Sequence, residues 1–122
     1  MGVVHHRNYL VWCELGRTEH FRRLGANYAE LERSGVVLAV AEANVRYAAP
    51  ARYDDLIRVE TRVADVGSRG VTFEYAIHRA EDGERLATAR TTLVALDKTG
   101  RVVTLPAGVR TALARDLAAT RG

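Results

Sequence analysis

The chain of 122 residues has one cysteine, one methionine, one tryptophan and two prolines, and Lys98 is its only lysine. A single cysteine, Cys13, excludes an internal disulfide and fits a reducing compartment. It stands in an apolar helical stretch, so buried packing is expected of it rather than nucleophilic catalysis. No Cys/His group has metal-ligand spacing, so neither a metal nor another cofactor is expected. No uninterrupted apolar run approaches the roughly 20 residues of a membrane span. Met1 leads into Gly2-Val3-Val4-His5-His6 without the basic start and long apolar run of an export leader. The cytoplasm is therefore the expected compartment, with no membrane partner.

Charge of one sign is also scarce. There are 18 basic against 15 acidic residues, a net charge of +3. The excess is scattered, and no basic stripe with interleaved aromatics runs along the chain, so nucleic acid is not an expected partner. What the chain does have is apolar content, 48% of its residues. That is enough for a real core, and the length fits one domain over residues 1–122.

Periodicity divides the chain. Leu10, Cys13, Arg17, Phe21 and Leu24 recur at steps of three and four, which predicts a helix from Asn8 to Leu24 with Asn8 as its cap and Gly25 as its terminator. Tyr28 to Arg33 reads as a short second helical turn. From Val36 the period changes to two. Strands are expected over Val36–Ala48, Ile57–Val63, Val71–Ile77 and Glu84–Leu96. The turns between them are Gly67-Ser68-Arg69-Gly70, Glu81-Asp82-Gly83 and Asp97-Lys98-Thr99-Gly100, with Asp54 and Asp55 as turn-formers. Such short connections suggest an antiparallel meander. Pro106 suits the start of a closing helix with Val109, Leu113 and Leu117 on its apolar face. The fold class is then α+β, a sheet wrapped round a long apolar helix, with the sheet's polar outer side wet or facing a partner.

Two motifs carry a resemblance. Gly2-Val3-Val4-His5-His6-Arg7-Asn8-Tyr9, followed by Glu14 and Arg17, resembles the opening signature of the 4-hydroxybenzoyl-CoA thioesterase-like branch of the hotdog superfamily. Tyr47-Ala48-Ala49-Pro50-Ala51-Arg52-Tyr53-Asp54-Asp55, leading into Ile57, resembles its second motif. The order of elements agrees from Gly2 to about Leu96. The resemblance implies a hotdog fold, hydrolysis of an acyl-CoA thioester to free acid and coenzyme A, and a homo-oligomer, either a dimer or a dimer of dimers (a homotetramer). It also implies a first strand and a catalytic aspartate ahead of Gly2. Neither is in this sequence, which leaves four of the family's strands and an expectation that Met1 lies inside a longer reading frame. A non-catalytic acyl-CoA or acyl-carrier binding subunit is the alternative.

Thioester hydrolysis needs a carboxylate that attacks the carbonyl or activates water, and donors for the developing oxyanion. By resemblance, the backbone N–H of His6 at the helix start is the oxyanion donor, a task to which free N–H groups and the helix dipole are suited. His6 is also the histidine more expected to face the substrate, with His5 and Val4 beside it. Glu14 is the only acid near the middle of the helix and a second candidate carboxylate, although an ion pair with Arg17 one turn on is the plainer expectation. Tyr9 either lines the acyl pocket or packs in the core. Arg69 is the candidate contact for the phosphates of coenzyme A, and Lys98 a weaker one.

Overall fold

The computed structural model describes residues 7–23, 30–31, 33–52 and 54–121, with the side chains of residues 7, 8, 120 and 121 set aside. The first helix, α1, spans Arg7–Arg22, close to the expected limits. Asn8 therefore lies inside the first turn rather than ahead of it, and Gly25 lies outside the described residues. Glu30, Leu31 and Arg33 are helical, as the short second turn requires. Four strands follow: β1 (Val37–Tyr47), β2 (Ile57–Val66), β3 (Gly70–Arg79) and β4 (Arg85–Leu96). The closing helix, α2, spans Ala107–Arg121, and the Pro106 carbonyl accepts its first hydrogen bond from Arg110 N–H at 3.0 Å.

The sheet is antiparallel in the order β1-β4-β3-β2. This corrects the meander. β2, β3 and β4 are joined by tight turns and pair in sequence, but the longer Ala48–Leu56 segment lets β1 cross to the far edge and pair with β4, Val45 opposite Ala89. Alternation then sorts the side chains. Val71, Phe73, Tyr75 and Ile77 of β3 are buried on one face with Ala87, Ala89, Thr91 and Leu93 of β4. On the other face, cross-strand registers align Asn44, Arg90, Glu74 and Arg62 in one row. Glu74 bridges its neighbours there, 2.8 Å from Arg62 and 3.8 Å from Arg90. The polar outer face is thus a solvated layer of charge.

The inner face receives α1. Tyr9, Cys13 and Phe21 are buried against it, and Phe21 meets Phe73 edge-on with centroids 5.4 Å apart. Leu10, expected in this stripe, is 42% exposed, together with Val11 and Leu15. The inward positions run from Tyr9 through Cys13 and Gly16 to His20 and Phe21, which turns Leu10 to the opposite side. α1 approaches β2 at Gly16. A Cβ built there would stand 2.4 Å from Thr61 Oγ1 and 3.0 Å from Val59 Cγ1, so any larger residue must displace those side chains. At the other end, His20 Nε2 donates to the Asp116 carboxylate and ties α1 to α2, whose Val109 and Leu113 are wholly buried.

Gly16→Ala should lower the melting temperature. Overpacking costs about 1–3 kcal/mol, and the better helix propensity of alanine returns at most about 1 kcal/mol. Thermal unfolding followed by circular dichroism reads the sign, and a raised Tm would mean that Thr61 turns aside at no cost.

Candidate active site

Val4, His5 and His6 lie outside the described residues. The site is therefore built from what surrounds the start of α1. Tyr9 occupies the first turn of that helix and is buried, 2% exposed. Its ring is met edge-on by Trp12 at 4.9 Å and by Tyr47 at 4.8 Å. Its hydroxyl accepts a hydrogen bond from Ala51 N–H at 3.3 Å. The first turn of α1 is thereby fastened to the end of β1 and to the Pro50–Ala51 corner, the part of the second motif that packs beside the first.

That corner has an anchor. Arg79 ends β3 on the same face as Ile77 and Tyr75, and four of its five guanidinium N–H donors are hydrogen-bonded. Nε donates to Asp55 at 3.0 Å, Nη1 to Asp82 at 3.0 Å and to Glu84 at 2.9 Å, and Nη2 to the Pro50 carbonyl at 3.0 Å. Asp55 also accepts from Arg52 N–H at 2.6 Å. That backbone bond and the guanidinium hold the Asp55 carboxyl below the usual range. Asp82 is likewise held low, first by the Glu84 N–H. The three carboxylates in turn raise Arg79 above an ordinary arginine. Sequence reading missed this cluster. The available signal was that the alternation Val71, Phe73, Tyr75, Ile77 continues to a charged residue on the apolar face.

Deeper under α1, the expected Glu14–Arg17 pair does not form. Arg17 points to the sheet and donates to Tyr75 Oη at 3.2 Å, and the same hydroxyl is hydrogen-bonded to Thr91 Oγ1 at 2.7 Å. Burial raises the Tyr75 phenol, with those two partners opposing. Cys13, one turn earlier, is buried, and desolvation pushes its thiol up to about 11 against the pull of Arg17. A thiol held protonated in this way is packing rather than a nucleophile. Glu14 points the other way. It is exposed among Leu10, Val11 and Leu15 and makes no ion pair among the described residues.

Arg69 and Lys98 are exposed at the opposite end of the sheet. The turn bearing Arg69 is fastened by its backbone, with Gly67 N–H donating to Gly70 O at 2.9 Å and Ala95 N–H to Arg69 O at 2.8 Å. Lys98 rides a turn held by Asp97, whose Oδ1 accepts from Thr99 N–H at 2.8 Å and Arg101 N–H at 3.1 Å. The eleven residues of β1 separate this end from Tyr47, about 33 Å at 3.3 Å per residue. Within one chain, then, the structure does not bring Arg69 and Lys98 to Tyr9. Among the described residues no group of His, Cys, Asp and Glu is arranged to hold a metal ion.

A helix laid across an antiparallel sheet is the arrangement of the hotdog thioesterases. The model of the thioesterase-like superfamily matches residues 1–113, and the chain belongs to that family. The chain is 35% identical over 98 residues to a putative acyl-CoA thioesterase, YneP, of Bacillus subtilis, covering 80% of this chain and 70% of that protein. It is 30% identical over 109 residues to the chloroplastic acyl-acyl carrier protein thioesterase ATL3 of Arabidopsis thaliana, covering 89% of this chain but 57% of that one. The crystal structure of DHNA-CoA thioesterase from Staphylococcus aureus superposes with a TM-score of 0.89 at 28% identity, over 99% of this chain and 83% of that one.

Acid should expose the role of the anchor. A carboxyl whose pKa is lower in the fold than in the unfolded chain contributes stability above its unfolded value and loses it as pH falls through its folded value. Asp55, Asp82 and Asp97 are all of this kind. Stability should therefore fall steeply below about pH 4, and less steeply in Asp55→Asn. Urea titrations at a series of pH values measure both slopes, and equal slopes would remove Asp55 from the explanation.

Proposed function

We propose that the chain hydrolyses acyl-CoA thioesters to free acid and coenzyme A. The observation that carries this reading is the family match over residues 1–113, in which both motifs fall at opposed faces of one buried contact, Tyr9 to Ala51. In mechanism, a carboxylate attacks the thioester carbonyl or activates water for it. The free N–H groups at the start of α1, His6 first, receive the negative charge that develops on the oxygen. The thiolate of coenzyme A leaves with a proton, for which the His6 imidazole is the candidate donor. By resemblance the attacking group is an aspartate ahead of the Gly2 motif, and within this sequence Glu14 is the candidate carboxylate.

The site is completed by a second copy. Leu10, Val11 and Leu15 on the outward side of α1, and Val37, Val40 and Tyr47 on β1, are large apolar side chains that one chain leaves exposed. Among the described residues β1 is also a sheet edge with unpaired backbone groups. Antiparallel pairing of two β1 edges about a two-fold axis sets the Lys98 end of one copy beside the Tyr47 end of the other. That arrangement supports Arg69 and Lys98 as phosphate contacts for a substrate held by the partner, along a line beginning at Val4, His5 and Tyr9. It also turns Glu14 into the interface.

Two measurements test this. Light scattering should return at least twice the 13.4 kDa chain mass, and Leu15→Arg should shift it toward monomer. A clean wild-type monomer at micromolar concentration would remove the shared site. Thiol release is assayed with short, aromatic and long acyl-CoAs and with acyl-carrier thioesters, on this chain and on a form extended upstream to carry the aspartate. The extended form should turn over, with this chain slower by about 10² or more, and Arg69→Ala should raise KM severalfold at low salt. Turnover by this chain that vanishes in Glu14→Gln would hand the attack to Glu14. No release from either form on any substrate would leave a binding subunit.

A further inference from the structure

We propose that Arg79 is a positioning residue for this reaction, acting through the single peptide unit Pro50–Ala51 on the hydroxyl of Tyr9 and thus on the first turn of α1. The inference rests on the hydrolase reading. Its basis is that both ends of one peptide plane are held. Arg79 Nη2 donates to the carbonyl of Pro50 at 3.0 Å, and the N–H of that same peptide, belonging to Ala51, donates to Tyr9 Oη at 3.3 Å. Hydrogen bonds in series polarise one another, more so away from water, and here Ala51 and Tyr9 are buried and the Arg79 side chain is only 10% exposed.

The geometry exceeds what the β3–β4 turn needs. Asp82 and Glu84, both local to that turn, would satisfy an arginine that only closed it. Two of the four contacts instead reach back to Asp55 and Pro50, in the segment that crosses from β1 to β2. Both polar groups of the Pro50–Ala51 peptide are held by side chains, so the guanidinium sets where Ala51 presents its N–H. Tyr9 Oη accepts that bond, and its own proton finds no acceptor among the described residues. The ring is held by Trp12 and Tyr47 on two sides, so Tyr9 follows Ala51, and the helix start follows Tyr9.

A shift of about 1 Å in groups that must meet a transition state can cost on the order of 10² in rate. Lysine cannot replace the fork. It carries the charge but not the planar set of donors that reaches three directions at once.

The test uses Arg79→Lys, Tyr9→Phe and the double variant, in whichever form of the chain shows turnover, with exposed Arg62→Lys as control. Steady-state kinetics should give a kcat at least about tenfold lower for each single variant, KM within about threefold, and a double variant no slower than the slower single. Trp12 is the only tryptophan and touches Tyr9, so its emission should shift in both singles and not in the control. Should Arg79→Lys fail to fold, Tyr9→Phe decides alone. An active wild type whose kcat and Trp12 emission survive Tyr9→Phe, or whose kcat survives Arg79→Lys below its Tm, overturns the positioning role. A wild type inert toward every thioester sinks the hydrolase reading, and this one with it.

Discussion

The depth at which α1 lies on the sheet governs the rest of the molecule. With no side chain at Gly16, the helix backbone closes on Thr61 and Val59, and every inward residue of α1 is set by that approach. Cys13 and Phe21 are buried because of it, Arg17 reaches Tyr75, and Tyr9 comes within hydrogen-bonding distance of Ala51. Its cost is visible in Thr61, whose hydroxyl is pressed under the helix without a hydrogen-bond partner among the described residues. An unsatisfied buried hydroxyl costs about 1–3 kcal/mol, and the structure tolerates it where helix and strand meet most closely.

Local chemistry made most of the architecture legible. The change of period from three-and-four to two separates α1 from the strands, and Gly67–Gly70, Glu81–Gly83 and Asp97–Gly100 are turns because their residues favour turns. The family resemblance supplied the class. The order of the strands was not legible, because nothing in Ala48–Leu56 says on which side of the sheet the chain returns. The pattern of Val71–Ile77 shows a buried face but not how many strands share it.

The candidate site was legible in its motifs and not in its contacts. Glu14 and Arg17 are one turn apart, which is the spacing of an ion pair, yet the helix rotates Arg17 toward Tyr75 and Glu14 toward solvent. A wheel of residues does not specify which side faces the sheet when Leu10, Val11 and Leu15 make the outward side apolar as well. Those residues leave the outward side of α1 apolar and exposed in one chain. Arg79 escaped notice for the opposite reason. Its partners come from the β3–β4 turn and from the distant segment between β1 and β2, and nothing in the sequence connects Asp55 and Pro50 to Arg79 until the strands are paired.

The crossing of β1 to the far edge also has a consequence for the order in which the chain folds. β2, β3 and β4 pair with neighbours along the chain, so their hairpins form by closing short loops. The residues of β1, Ala41 at a bulge excepted, instead pair with ones far downstream, from Tyr47 with Ala87 to Val37 with Leu96. Closing so long a loop is slow, and such contacts dominate folding times. During synthesis β1 leaves the ribosome well before β4 exists, and until then it has no strand to pair with. An apolar strand waiting in that state is the segment for which a chaperone, or another nascent copy, competes.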